Sequence, residues 1–195
     1  MLSRRHLRIK VFQTLYSNYK EDTYTIGSLE KNLNKSVDKI YELFIYHLSI
    51  LVEIRSVALK NIEDKKNKKL PSKEDLNPNL KFVNNPILVA LANNKELSKK
   101  VNELKVSFSD DQDLMRKLYK QVAESPFFAA YLKEESEEFD IHKSFIVKLF
   151  KHQLADNEII EHLFEEKNIH WTDDNYFVCG YLIKFLKSLK SNFNE

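Results

Sequence analysis

Apolar residues recur at three- and four-residue spacings along most of the chain. The longest such run is Leu29, Leu33, Val37, Ile40, Phe44, Leu48, Leu51, Ala58 and Ile62. Sustained over about nine turns, it predicts one long amphipathic helix. Arg55 stands where another apolar residue is expected, and a lone buried charge is unfavourable, so it should pair with an acid across a helix interface. Ahead of this helix the pattern predicts another from Arg4 to Tyr19, opened by Ser3 as a cap, then a turn over Thr25 to Ser28 loosened by Gly27. At 100° per residue, Val11, Phe12, Leu15, Tyr16 and Tyr19 fall on one broad face, which reads as core-facing.

Past the long helix the pattern stops. Lys65, Lys66, Lys68, Lys69 and Lys73 gather with Pro71 and Pro78, and Asn84-Asn85-Pro86 closes the stretch. Charge and proline together predict a linker, so the chain is expected to divide into 1–66, a linker 67–85 and a second helical subdomain 86–195. Pro86 suits the first turn of a short helix over Ile87 to Ala92. Shorter amphipathic helices are then expected over Glu96 to Val106 and from Asp110-Asp111 through Leu114, Leu118 and Val122. Others should run from Ser125-Pro126 through Tyr131, over Ile141 to Gln153, and over Asp156 to Lys167. A last helix should start at Asp173 with Thr172 as its cap, burying Phe177, Val178, Tyr181, Leu182, Phe185 and Leu189. The acidic run Glu134 to Asp140 reads as a solvated face.

Composition narrows the class. With 2 glycines and 4 prolines in 195 residues, turn-dense β architectures and glycine-rich phosphate loops are nearly excluded. The expectation is an all-α multi-helix bundle. The single cysteine, Cys179, leaves no internal disulfide to form and fits a reducing compartment. The most apolar window, Leu43 to Val52, is broken by Tyr46, His47 and Ser49 and falls short of the roughly 20 residues a span needs. No signal peptide is apparent, so a cytoplasmic protein is expected.

Charge supplies the sharpest functional clue. The net charge is only +2, yet residues 1–20 hold Arg4, Arg5, Arg8, Lys10 and Lys20 and no acid. Three guanidinium groups resist unpaired burial, so this end must reach past the core. Arginine binds phosphate through a planar fork that stays protonated. The candidate phosphate-binding residues, suited to a nucleic acid, are therefore Arg4, Arg5, Arg8 and Lys10, with salt-dependent affinity. The lysines of 65–73 read as a soluble loop, or as an extension of the same phosphate-binding surface.

The remaining chemistry argues against an enzyme. A di-iron bundle needs glutamate three residues before histidine on two helices. Here Phe44, Phe139, Leu149, Ile159 and Lys167 precede His47, His142, His152, His162 and His170 at that spacing, so neither a metal nor a cofactor is expected. Cys179, among Phe177, Val178, Gly180 and Tyr181, reads as a small buried hydrophobe. No serine sits in a nucleophile elbow and no Walker loop occurs.

Arg4-Arg5, Arg8 and then Gln13-x-Leu15-Tyr16 resemble the opening of the NusB family of bacterial transcription antitermination factors. Ile9 and Lys10 depart from the acidic and small residues common there. Glu74-Asp75-Leu76-Asn77-Pro78-Asn79-x-Lys81-Phe82, with Trp171-x-Asp173-Asp174, resembles the amino-terminal two-thirds of the long variants. The resemblance implies an all-helical fold and a non-enzymatic factor acting in antitermination and rRNA transcription. Its implied partners are boxA-type single-stranded RNA, NusE (a small-subunit ribosomal protein) and the transcription elongation complex. In that family the arginine-rich start contributes to RNA binding. The family's Ile-Asn-Glu and Phe-x-Asn-Gly signatures do not occur in this chain, and Trp171 lacks the arginine that follows its motif. A truncated or divergent short form is therefore expected. The rival expectation is a helical protein–protein interaction module that keeps the fold without RNA affinity.

Overall fold

A computed structural model describes residues 4–19, 25–168 and 171–192. Among them are ten α-helices, a π-helical turn and no strand. The helices are α1 (Arg4–Asn18), α2 (Ile26–Lys66), α3 (Lys73–Leu76), α4 (Pro86–Asn93), α5 (Lys95–Glu103) and α6 (Gln112–Glu124). They continue with α7 (Pro126–Lys133), α8 (Phe139–Leu149), α9 (Glu158–Lys167) and α10 (Trp171–Ser188), with the π turn Phe150–Leu154 following α8. The all-α architecture predicted from periodicity is present. No helix among the described residues is long and apolar enough to cross a membrane.

Two compact units make up the chain, 1–43 and 44–195. The division falls inside α2 and not at 67–85. In the first unit, Thr25 opens α2 through a reciprocal cap: Ser28 N donates to Thr25 Oγ1 at 3.2 Å and Thr25 N to Ser28 Oγ at 3.0 Å. Such a box satisfies amide donors that the first turn leaves orphaned. The expected cap at Ser3 lies outside the described residues.

The lysine- and proline-rich segment belongs to the second unit because its carboxy-terminal half is bound into the core. Phe82 and Val83 are buried. Arg55 Nε donates to Val83 O at 2.6 Å, so the arginine that interrupts the long stripe finds a backbone carbonyl in place of the expected acid. The ammonium of Lys81 meets Ser136 O at 2.8 Å and Glu137 Oε1 at 3.0 Å. Asn85 Nδ2 donates to the Tyr131 hydroxyl at 3.0 Å, and that hydroxyl lies 2.6 Å from His142 Nδ1. His142 Nε2 in turn meets Glu137 Oε2 at 2.9 Å. The acids of the run 134–140 are exposed, as a solvated face requires, and Glu137, one of them, also fastens this segment. Lys81 beside Glu137 holds that carboxyl below the usual range. Proline and lysine advertise a linker, but they say nothing of the short apolar pair behind them.

Two aromatic groups fill the core of this unit. Tyr46, Phe164 and Trp171 interlock, with Tyr46 and Trp171 centroids 4.8 Å apart. Phe82, Phe128, Phe145 and Tyr131 form the other, the last two stacked at 3.8 Å. Asn85, Asn94 and Asn157 cap α4, α5 and α9 through their side-chain oxygens, and Pro86 occupies the first turn of α4 as expected. Trp171 already belongs to α10, which places Thr172 inside the helix and not at its cap.

Candidate nucleic-acid interface

Helix α1 buries a polar stripe and leaves a mixed face of basic, aromatic and aliphatic residues open. Lys10, Thr14 and Asn18 are buried at four-residue spacing. Asn18 Nδ2 donates to Thr14 O at 2.7 Å and to Ser17 Oγ at 3.2 Å, which satisfies a carbonyl of the last turn. The remaining face is open. Arg4, Arg5 and Arg8 are exposed, Phe12 is 68% exposed, Tyr16 71% and Tyr19 80%.

At 100° per residue these six side chains, with Leu15 and Ile9, occupy a single arc of roughly 140°. Arginines take its amino-terminal half and aromatic rings its carboxy-terminal half. The rings of Phe12 and Tyr16 stack with centroids 6.1 Å apart and planes 19° from parallel. Among the described residues none of the three arginines makes an ion pair, so their forks remain available. Lys10 does not join them: it is 6% exposed and projects from the opposite side. The structure sets Lys10 apart from the three arginines with which the sequence grouped it.

The expectation that Phe12, Leu15, Tyr16 and Tyr19 face the core is corrected as well. Periodicity marks a face that gains from being covered but does not name the cover. A signal was present in the sequence. Phe12 and Tyr16 lie four apart and one turn beyond the arginines, and cations beside aromatic rings are a combination common in single-strand binders.

A second polar group lies deep in the unit 44–195. His47 Nε2 is 2.8 Å from Asn175 Oδ1, and Cys179 Sγ is 3.6 Å from the same nitrogen. This cysteine–histidine–asparagine arrangement resembles nucleophilic machinery, but its electrostatics are those of a core. An amide oxygen can only accept, so Nε2 carries the proton and cannot take one from the thiol. Burial pushes His47 down to about 4 and Cys179 up to about 12. Both groups are neutral at physiological pH, and no thiolate forms. The thiol has two acceptors in reach, Asn175 Oδ1 at 3.5 Å and Ala155 O at 3.7 Å, the latter in the irregular turn after the π segment. Sequence reading placed Cys179 in the core correctly, whereas the partnership with Asn175 and His47 was not foreseen. Among the described residues no group of three or more His, Cys, Asp or Glu side chains is placed to hold a metal ion; His170 lies outside them.

No family model, characterised protein or solved structure matches this chain.

Proposed function

We propose that this protein is a cytoplasmic, non-enzymatic RNA-binding factor of NusB type, taking boxA-like single-stranded RNA on the exposed arc of α1. The observation that carries the reading is the union of Arg4, Arg5 and Arg8 with the stacked Phe12 and Tyr16 on one solvent-facing side. Guanidinium forks meet phosphates, and bases continue the stack that the two rings begin. Base–aromatic stacking contributes on the order of 1–3 kcal/mol per base and tolerates different bases. The resemblance of the amino-terminal and Asn77-Pro78 stretches to NusB supplies the remaining terms: NusE as protein partner, the elongation complex as setting, and antitermination or rRNA transcription as the process.

A second reading rests on the aliphatic members of the same arc. Leu15 and Ile9 are exposed beside the aromatics, which suits an apolar docking face of a helical protein–protein module.

Fluorescence anisotropy of a labelled boxA-type strand against a scrambled strand, across a salt series and with or without NusE, separates the two. RNA binding that weakens steeply with salt and disappears in the Arg4→Ala/Arg5→Ala/Arg8→Ala protein supports the RNA reading. Binding that ignores the substitutions overturns the site. No RNA binding, with salt-insensitive capture of NusE, gives the docking module.

A further inference from the structure

A cavity of about 380 Å³ opens in the unit 44–195 between α2, α5 and the segment that follows α5. Pockets for small organic molecules begin at roughly 300 Å³. Val52, Leu97, Val101, Val106 and Phe108 give it an apolar wall. Glu53 and Gln112 line this cavity and also a smaller one of about 170 Å³.

One oxygen of the Glu53 carboxylate is held by a hydrogen bond within the chain. Its Oε1 accepts from Gln112 Nε2 at 2.8 Å, and the same amide nitrogen donates to Phe108 O at 3.2 Å. The glutamine therefore holds Glu53 against the wall and supplies no charge. Among the described residues Glu53 makes no ion pair. A part-buried anion with a neutral hydrogen-bond donor as its partner gains from a cation brought by a ligand.

The wall is also held in a strained conformation. Lys105 has φ of 54°, the only positive φ among the described non-glycine residues. It ends α5 in a Schellman turn, with Val106 N donating to Val101 O at 2.9 Å and Lys105 N to Asn102 O at 3.2 Å. A side chain in this region is disfavoured by roughly 1–2 kcal/mol. The turn folds Val106 and Phe108 back over the cavity.

We propose that this cavity binds a small organic cation, a primary ammonium joined to an apolar or aromatic body. The ammonium sits on the other oxygen of Glu53 and the body lies against Val101 and Phe108. This site is separate from α1 and does not rest on the RNA reading.

Calorimetric titration of the full chain with tryptamine tests it, with tryptophol and indole-3-propionate as neutral and anionic counterparts of similar shape. Saturable tryptamine binding, at least tenfold tighter than tryptophol, with no propionate binding, is the expected result. Glu53→Gln should lose at least tenfold for tryptamine while leaving tryptophol unchanged. Val101→Trp, which fills the cavity and leaves the carboxylate in place, should abolish both. Equal binding of all three compounds, tryptamine affinity unmoved by either substitution, or no saturable binding overturns the proposal. Circular dichroism of both variants shows that lost binding is not lost folding, and the Val101 variant keeps the test decisive if Glu53→Gln does not fold.

Discussion

Phe12 and Tyr16 stack four residues apart on the solvent side of α1, with centroids 6.1 Å apart, while Lys10 is buried on the other side. An exposed aromatic pair contributes little to a core, so its removal and the removal of a core ring should have opposite signatures. Phe12→Ala/Tyr16→Ala is expected to leave thermal stability almost unchanged. In the RNA anisotropy titration it should lose at least tenfold in affinity, consistent with about 1–3 kcal/mol per stacked base. A double variant that melts early with intact RNA affinity would contradict this.

Trp171 offers the contrast. It is 1% exposed and packed against Tyr46 and Phe164. Trp171→Ala should destabilise by about 3–5 kcal/mol through lost transfer energy and a residual cavity. Urea denaturation measures it, and a change below 1 kcal/mol would show that this ring does not anchor the core.

His47 predicts an acid-sensitive fold. Burial lowers its pKa from 6.5 to about 4 in the folded protein. Between those values the unfolded chain binds the proton and the native one does not. Stability from this residue is therefore undiminished above pH 6.5 and falls as the pH drops toward 4. The loss approaches about 3 kcal/mol at the lower end. Comparing urea midpoints at pH 7 and pH 4.5 for the wild type and for His47→Gln isolates the contribution. Parallel loss in both proteins would assign the acid sensitivity to other groups.

Lys105 marks a place where the chain can be improved. Lys105→Gly removes the left-handed penalty, less the entropy that glycine gains when unfolded, for a net gain of about 0.5–1 kcal/mol. The thermal midpoint reports it. A decrease would mean that the lysine side chain contributes more than its backbone strain takes away.

The helices themselves were readable from periodicity. The α2 stripe, Pro86 in the first turn of α4 and the core position of Cys179 all follow from local pattern. What escaped depended on contacts distant in sequence. Val83 O satisfies Arg55 across 28 positions, and Asn85 reaches Tyr131 across 46. Neither leaves a trace in local composition, which is why residues 67–85 read as a linker. The site on α1 was half legible. Charge put Arg4, Arg5, Arg8 and Lys10 in one candidate set, although spacing set Lys10 on another face, and spacing alone assigned Phe12 and Tyr16 to the core. The direction in which a helix turns its two sides is set by what covers it, and sequence patterning holds no record of that.

The uninterrupted 41 residues of α2 cross the division at Leu43 without a break in helical hydrogen bonding. Initiating a helix is unfavourable, whereas extending one adds a bond per residue. The well-buried turns from Phe44 to Ala58 therefore act as a template on which the earlier, more solvated turns elongate. Amide protons should record this as a gradient, with slow exchange near Ile50 and progressively faster exchange toward Ile26. On the timescale of exchange, α2 is anchored in its buried turns and renewed from there toward Ile26.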